Sequence, residues 1–460
     1  MSEPSLSLAI GRSRWRSCPS GAARWLAGVL TAGLLAGCTT TGTAIPAGTA
    51  RPSASSATTG STKTPPAPSP TASLLPDAKI VAARLAAVSR SGIGSSGLAV
   101  LAADGTAVTM RNADRPLAPA STMKVLTTLA ALDTIGADHR FSTRVVRSGT
   151  RVVLVGGGDP LLTDKQSKSS TTPASLQTLA AATATALAAA GVKRVQLGYD
   201  TSLFTGPDFH PAWKDRWRSW VARVSPLLIG EGRFNQWQAD PAPARTAATA
   251  FAKRLKAAGI TVTSVKPAQA ASGAQELASV QSAPLVRVIG RTLKYSDNLA
   301  AEVVARHLAI ASGKPASFTG AAATIKAWLS GHNLWSAGMR VRDGSGLAAS
   351  ARVTPSVLAR AIHTSLSDER LAGVASGLPV AGVSGTLEDR FNDKSERVAR
   401  GNVHAKTGTL AGVAALAGYL TTADGARLAF AVVANRTRGR TTAYNWLDRT
   451  TAALVRCGCR

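Results

Sequence analysis

Ser121 and Lys124 stand one helical turn apart where the chain passes from Ala118-Pro119-Ala120 into apolar residues at helical spacing, Met123, Leu126, Leu129 and Ala130. A serine hydroxyl is a weak nucleophile until a neighbouring base takes its proton. A lysine one turn further on can be that base if burial or nearby positive charge lowers its pKa. A helix start also favours negative charge, through unpaired N–H groups and the helix dipole. An N-cap serine followed by a solvated lysine would read the same way, and Ser-x-x-Lys recurs by chance. Two later groups bear on the choice: Ser296-Asp297-Asn298 and Lys406-Thr407-Gly408-Thr409. Alone, Ser296 and Asn298 read as turn and cap residues, and Lys406 as a strand-edge charge. Jointly, in this order, the three groups point to catalysis.

The elements that must position them follow from periodicity. Asp77 to Val88 has Ile80, Val81, Leu85 and Val88 on one side of a helix. Gly97–Leu101 and Ala107–Met110 flank Asp104-Gly105, a hairpin signal, and the Ser121 helix comes next. Arg144–Val146 and Val152–Val155 form a second strand pair, ending in Gly156-Gly157-Gly158-Asp159-Pro160. No Lys-Ser or Lys-Thr follows those glycines, so they read as a turn and not a phosphate loop. Two helix-then-strand units echo one another, Leu176–Ala190 with Val195–Tyr199 and Thr246–Ala258 with Ile260–Val265, each helix closed by glycine. Trp213, Trp217 and Trp220 lie between them, as packing or as a platform for glycans. Pro284 opens a helix ending at Tyr295, a second helix runs through Leu299 and Leu308, and strands Val413–Leu420 and Leu428–Ala434 turn about Asp424-Gly425. Tyr444–Val455 is a closing helix.

The first 75 residues are of another kind. Arg12, Arg14, Arg16 and Arg24 precede an apolar run from Trp25 to Ala36, too short to span a membrane comfortably and right for a signal peptide over residues 1–37. Leu35-Ala36-Gly37-Cys38 resembles a bacterial lipobox, with Cys38 the lipidated residue. Residues 38–75 are rich in Thr, Ser, Pro, Ala and Gly and cannot bury enough surface to offset chain entropy, so they read as a disordered tether. The formal charge is +28; removing residues 1–37 takes away four arginines and Glu3 and leaves +25. No nucleic-acid module accompanies it, and an exported basic chain meets anionic lipid and acidic wall polymers. Cys457 and Cys459 close the chain as an exposed redox pair or plain thiols. His210, His307 and His404 lack metal-ligand spacing, so neither metal nor cofactor is called for.

Ser121-x-x-Lys124, Ser296-Asp297-Asn298 and Lys406-Thr407-Gly408 form the triple found in penicillin-binding proteins and class A β-lactamases. The chain resembles the D-alanyl-D-alanine carboxypeptidase/endopeptidase family, peptidase family S13, which are low-molecular-mass class C penicillin-binding proteins. Similar phrases are Tyr199-Asp200-Thr201-Ser202-Leu203-Phe204, Asp343-Gly344-Ser345-Gly346-Leu347 and Leu378-Pro379-Val380-Ala381-Gly382-Val383-x-Gly385-Thr386-Leu387. The resemblance covers about Asp77 to Val455. It implies an α/β (α+β) transpeptidase fold like that of penicillin-binding proteins and β-lactamases. Residues 76–140 and 284–460 would form the peptidase domain, interrupted by an α/β domain over 141–283. Longer members carry a further domain where this chain runs from Asn235 almost directly to Thr246.

The resemblance further implies a peptidoglycan stem peptide ending in D-Ala-D-Ala as substrate, penicillin sensitivity, and roles for the motif residues. Lys124 takes the Ser121 proton, Ser296 relays it to the leaving nitrogen, and Asn298 orients Lys124 and the substrate amide. Lys406, Thr407 and Thr409 hold the terminal carboxylate beside Gly408, and Lys406 lowers the Lys124 pKa. The backbone N–H groups of Ser121 and Thr409 form the oxyanion hole. Asp297 stands outside the chemistry, and Asp159 and Asp343 are structural. Two rivals share parts of this reading: a serine β-lactamase, for which no water-holding glutamate is evident between Lys124 and Ser296, and a catalytically silent envelope-binding lipoprotein.

Overall fold

The chain is seen in a computed structural model that describes residues 76–170, 172–235 and 237–458. The signal segment, Cys38 and the tether lie outside the described residues, as does Cys459. Helix α1 (Ala78–Ala86) is capped by the Asp77 carboxylate, which accepts from the Lys79 and Ile80 N–H groups. The hairpin β1 (Ser95–Leu101) and β2 (Ala107–Arg111) follows, then a tight turn at Ala120–Thr122 and helix α2 (Met123–Ile135). Next come β3 (Ser142–Ser148), β4 (Arg151–Val155), α3 (Leu176–Ala189), β5 (Arg194–Asp200), the small ribbon β6 (Arg233–Asn235) and β7 (Gln238–Ala239), α4 (Pro243–Ala257), β8 (Thr261–Pro267) and β9 (Gln275–Gln281). Helices α5 (Leu285–Tyr295), α6 (Asn298–Ala311), α7 (Phe318–Gly331), α8 (Pro355–Ser367) and α9 (Ala372–Ser376) lead to β10 (Val403–Leu410), β11 (Val413–Thr421), β12 (Arg427–Asn435) and α10 (Arg440–Val455).

The first sheet has the order β10-β11-β12-β1-β2 and is antiparallel throughout. Its strands alternate between two buried faces, as a period of two requires. Ala99, Leu101, Ala417, Ala431 and Val433 face α8 and share one core with α2 and α5; Leu98, Val100, Leu416, Phe430 and Val432 share the other with α1 and α10. The small alanines on the α8 side let that helix approach the sheet closely. Helix α2 itself is buried from Met123 to Leu132 all round, so it is a core helix and not one with a single apolar face. Helix α1 stops at Ala86 and buries Val81 and Leu85, leaving Ile80 exposed. Cys457 is buried and disulfide-bonded, which removes the plain-thiol alternative and corrects the expected exposure.

The two echoing units are real. Strands β4, β5 and β8 are parallel neighbours joined through α3 and α4, and β3 and β9 extend the sheet antiparallel, giving β8-β5-β4-β3-β9. This second sheet has its own core, built from Val152, Leu154, Leu179, Leu197, Phe251 and Leu255. The chain leaves for it at Phe141 and returns at Ser282 side by side: Phe141 N–H donates to Ser282 Oγ at 2.9 Å and Ser282 N–H to Phe141 O at 2.9 Å. Of the Gly156–Gly158 run, Gly158 alone takes a left-handed φ, 72°. The segment carrying Trp213, Trp217, Val221, Val224 and Leu228 packs elsewhere, against Ala120, Leu299, Val303, Phe318, Leu347 and Leu410. Part of the sequence between β5 and β6 therefore lies against the Ala120 turn and α6.

Candidate active site

Ser121 is placed by contacts from three parts of the chain. The Asn435 side chain, at the end of β12, accepts from Ala118 N–H at 2.8 Å and donates to Ala118 O at 3.2 Å. Ala120 takes φ 47°, an uncommon left-handed angle for alanine, immediately before the serine. A Cβ on Gly408 would come within 2.6 Å of Pro119 O, and one on Gly346 within 1.9 Å of Ala120 O, so both neighbours must be glycine for the turn to seat. Gly346 also has φ 81°.

The Lys124 amine is fully buried and makes three bonds. It donates to Ser121 Oγ at 3.1 Å, to Asn298 Oδ1 at 2.6 Å and to Ser345 O at 2.8 Å. Burial lowers its pKa from the usual 10.5 to about 8, against the pull of the Glu302, Asp343 and Asp297 charges. Burial, one of the two causes the sequence allowed, is the leading one; the other, repulsion between the two amines, is mutual. The repulsion appears on Lys406, whose pKa is pushed well below its usual value by burial first and by Lys124 second. Two buried amines that repel one another share a preference for carrying one charge between them.

Ser296 ends α5 in a left-handed conformation (φ 59°), and its hydroxyl accepts from Lys406 Nζ at 2.8 Å. Asp297 caps α6 through Ala300 N–H at 3.0 Å. Asn298 opens α6; its Nδ2 donates to Trp220 O at 3.0 Å, so the half of the amide assigned to substrate is held by protein here. Lys406 Nζ also donates to Thr407 O at 2.8 Å. The Thr407 hydroxyl lies 2.9 Å from that of Thr386, and the Thr409 hydroxyl lies 2.7 Å from Tyr444 Oη. Thr409 is thus engaged by Tyr444 where a free carboxylate ligand was expected. Strand β10 is a sheet edge. Ala405 N–H points off that edge to Pro379 O at 3.0 Å, so by the period of two the N–H groups of Thr407 and Thr409 point off it too. An extended peptide laid along this edge meets those donors, and Thr409 N–H with Ser121 N–H at the helix start can serve a developing oxyanion.

Residues that sequence reasoning passed over or left without a role hold the amine in place. Glu302, fully buried on α6, accepts from Gly344 N–H at 3.0 Å and Ser345 N–H at 2.8 Å, and Ser345 O is a Lys124 acceptor. Burial, then repulsion from Asp343, raises the Glu302 pKa to about 7. Asp343 accepts from Gly346 N–H, Ala348 N–H and Trp213 Nε1–H at 2.7, 2.7 and 2.8 Å. A lone glutamate among Leu299, Ala300, Ala301, Val303 and Val304 was the available signal. Of the tryptophans, Trp213 and Trp217 are packing, and Trp220 is half exposed beside Asn298. His210, His307 and His404 meet Arg342 O, Gly158 O and the Tyr419 ring.

A pH dependence follows. A lysine can act as a base only when neutral, and the neutral fraction of Lys124 rises steeply with pH below about 8, where it reaches half. Both kcat/KM and the penicillin acylation rate should climb roughly tenfold per pH unit below about 8 and level above it. A limb near 10, seen in either measurement, would place the base in solvent.

The family model described as D-Ala-D-Ala carboxypeptidase 3 (S13) matches residues 80–241 and 234–454. A carboxypeptidase of Mycobacterium tuberculosis is 35% identical over 364 residues, 75% of this chain and 77% of the relative. Carboxypeptidase DacB of Mycolicibacterium smegmatis is 34% identical over 362 residues, covering 75% and 76%. Among solved structures, penicillin binding protein 4 of Haemophilus influenzae has the same fold, with a TM-score of 0.67 at 19% identity over 81% of this chain and 98% of that one. That protein is also solved in complex with a β-lactam. On this extent of match the chain belongs to the D-Ala-D-Ala carboxypeptidase 3 (S13) family and is a serine-type D-Ala-D-Ala carboxypeptidase.

Proposed function

We propose that Ser121, Lys124, Ser296 and Asn298 are the catalytic residues and that Lys406, Thr407, Gly408 and Thr409 receive the substrate. The observation that carries this is the buried Lys124 amine bonded at once to Ser121 Oγ and Asn298 Oδ1. Neutral Lys124 takes the Ser121 proton as Oγ attacks the penultimate D-Ala carbonyl of a stem peptide. Ser121 and Thr409 N–H groups stabilise the oxyanion. Ser296, which receives a hydrogen bond from Lys406, passes a proton to the departing D-Ala nitrogen as the C–N bond breaks. The departing residue's carboxylate is held by Lys406 and by the Thr407 hydroxyl, with Thr386 beside it. Water then hydrolyses the ester.

The work is outside the cytoplasm, on peptidoglycan. The finer reading is a lipoprotein: residues 1–37 removed, Cys38 lipidated, residues 38–75 a tether, and the basic globule held near the outer face of the cytoplasmic membrane. Residues 141–283 are in this reading an insertion into a peptidase domain of 76–140 and 284–460, supported by the side-by-side exit and return at Phe141 and Ser282.

Intact mass during incubation with a penicillin tests the mechanism. A one-drug gain on Ser121 that persists for hours is expected. A gain that decays within minutes while drug is consumed identifies a β-lactamase, and no gain at all removes the catalytic reading in favour of envelope binding.

A further inference from the structure

Strand β10 turns the Thr407 and Thr409 side chains to one face, two residues apart. Each hydroxyl meets a second hydroxyl from another part of the chain: Thr386 at 2.9 Å from Thr407, Tyr444 at 2.7 Å from Thr409. The two partners share a support. Thr386 and Arg390 are four residues apart in the stretch between α9 and β10, and Arg390 lays its guanidinium over the Tyr444 ring, 4.2 Å from the centroid. Arg390 Nε donates to Asp448 Oδ2 at 3.0 Å, and Asp448 stands one helical turn after Tyr444 on α10. The Arg390 and Asp448 side chains are only 11% and 6% exposed. A buried ion pair therefore fixes the phenol ring, and the ring carries its hydroxyl to the edge strand. None of the chemical steps set out above uses Tyr444.

Counting protons decides what that hydroxyl does. A carboxylate only accepts, so Thr409 can hold one only by donating its single hydroxyl proton. Were that proton spent on Tyr444 Oη, each arriving substrate would have to break the bond. A phenol is a far stronger acid than an alcohol, so of the two hydroxyls Tyr444 is the donor and Thr409 Oγ1 the acceptor. The bond then fills an acceptor site on Thr409 Oγ1 and leaves the Thr409 proton free to turn toward an anion. It also strengthens the bond that proton makes, because hydrogen bonds in a chain polarise one another.

We infer that Tyr444 is a positioning residue for the substrate's terminal carboxylate, acting through Thr409: it donates to the Thr409 hydroxyl and so keeps that hydroxyl aimed as a donor at the carboxylate. The inference rests on the reading that Thr409 receives this carboxylate. Tyr444 makes and breaks no covalent bond and moves no proton along the reaction path. The carboxylate is held alike before and during the attack on the carbonyl, so Tyr444 contributes to binding and not to turnover. The Thr409 N–H, which serves the oxyanion, is set by the strand backbone and does not depend on the phenol.

The test is a double-mutant cycle on a linear pentapeptide ending in D-Ala-D-Ala, with wild type, Tyr444→Phe, Thr409→Val and the double variant. Tyr444→Phe keeps the ring under Arg390 and removes the hydroxyl alone, and thermal melts of all four proteins check the fold. In Tyr444→Phe, KM should rise about three- to tenfold, the worth of one hydrogen bond, with kcat changed less than about twofold. Thr409→Val should raise KM at least as much. Adding Tyr444→Phe to it should cost less than about a further twofold, because the hydroxyl through which Tyr444 acts is gone. A full, independent loss in the double variant makes Tyr444 merely structural and overturns the inference. An unchanged KM in Tyr444→Phe, or a loss confined to kcat, overturns it too. A lowered KM there also overturns it, by showing that Tyr444 competes with the carboxylate. A Thr409→Val protein whose KM equals that of wild type brings down the carboxylate reading of Thr409 itself, and the role of Tyr444 with it.

Discussion

Replacing Ser121 by alanine should lower kcat/KM for D-Ala release by on the order of 10⁴-fold or more and abolish the covalent penicillin adduct. Lys124→Ala should do nearly as much damage, since the hydroxyl would then lose the base beside it, Lys124 Nζ at 3.1 Å from Ser121 Oγ. The informative variant is the double. Residues that act as one unit are grossly non-additive, so Ser121→Ala/Lys124→Ala should be no slower than either single variant. Additive losses would mean that the two side chains work in separate steps. A Lys124→Ala protein that keeps a tenth of its activity would place the proton acceptor elsewhere. Thermal melts keep the comparison fair, because truncating Lys124 also strips a donor from Asn298 Oδ1 and Ser345 O.

The second large effect is on stability and comes from Asp343. Its carboxylate is fully buried and accepts three hydrogen bonds, two from the backbone of its own loop and one from Trp213. Asp343→Ala leaves three buried donors without an acceptor, and each such group costs about 1–3 kcal/mol. We expect a loss of about 3–5 kcal/mol, read as a drop in denaturation midpoint at unchanged m. Trp213→Phe removes one donor and keeps the carboxylate, and should cost about 1 kcal/mol. Activity should fall in Asp343→Ala even where the protein is folded, because the same loop supplies Ser345 O to Lys124. An Asp343→Ala protein as stable as wild type would show that the loop finds other partners.

Much of the framework could be read without coordinates, for reasons that differ by element. The hairpins at Asp104-Gly105 and Asp424-Gly425 announce themselves because a tight turn demands those residues and strands of alternating pattern flank it. The βα units of the second sheet were legible from glycines at the helix exits, though their parallel pairing was not. Strand β9 escaped because its residues are exposed or half-buried and carry no apolar alternation. Helices α7 and α8 were passed over despite capping signals at Ser317 and at Thr354-Pro355, the latter a proline just inside a helix start. In the site, the motif residues were visible because the chemistry needs those side chains. Glu302 was not, because it works through the backbone of Gly344 and Ser345, and the sequence does not say which loop crosses which helix. The weight of burial in the Lys124 shift was hidden for the same reason: burial is a property of the packed fold, while a neighbouring lysine is something a motif displays.

The strand order β10-β11-β12-β1-β2 sets a schedule for biosynthesis. Ser95 pairs with Asn435, and β12 is the middle strand of the sheet that carries β10 and seats the Ser121 turn. A nascent chain that has finished α2 therefore has a nucleophile but no sheet to hold it, and Lys406 does not yet exist. Such sequence-distant pairing is slow to form and comes after the chain is complete. The hydrolase therefore cannot assemble its site until β12 has been made, late in its own synthesis. A product cut short before Asn435 would carry Ser121, Ser296 and Lys406 and still be inert.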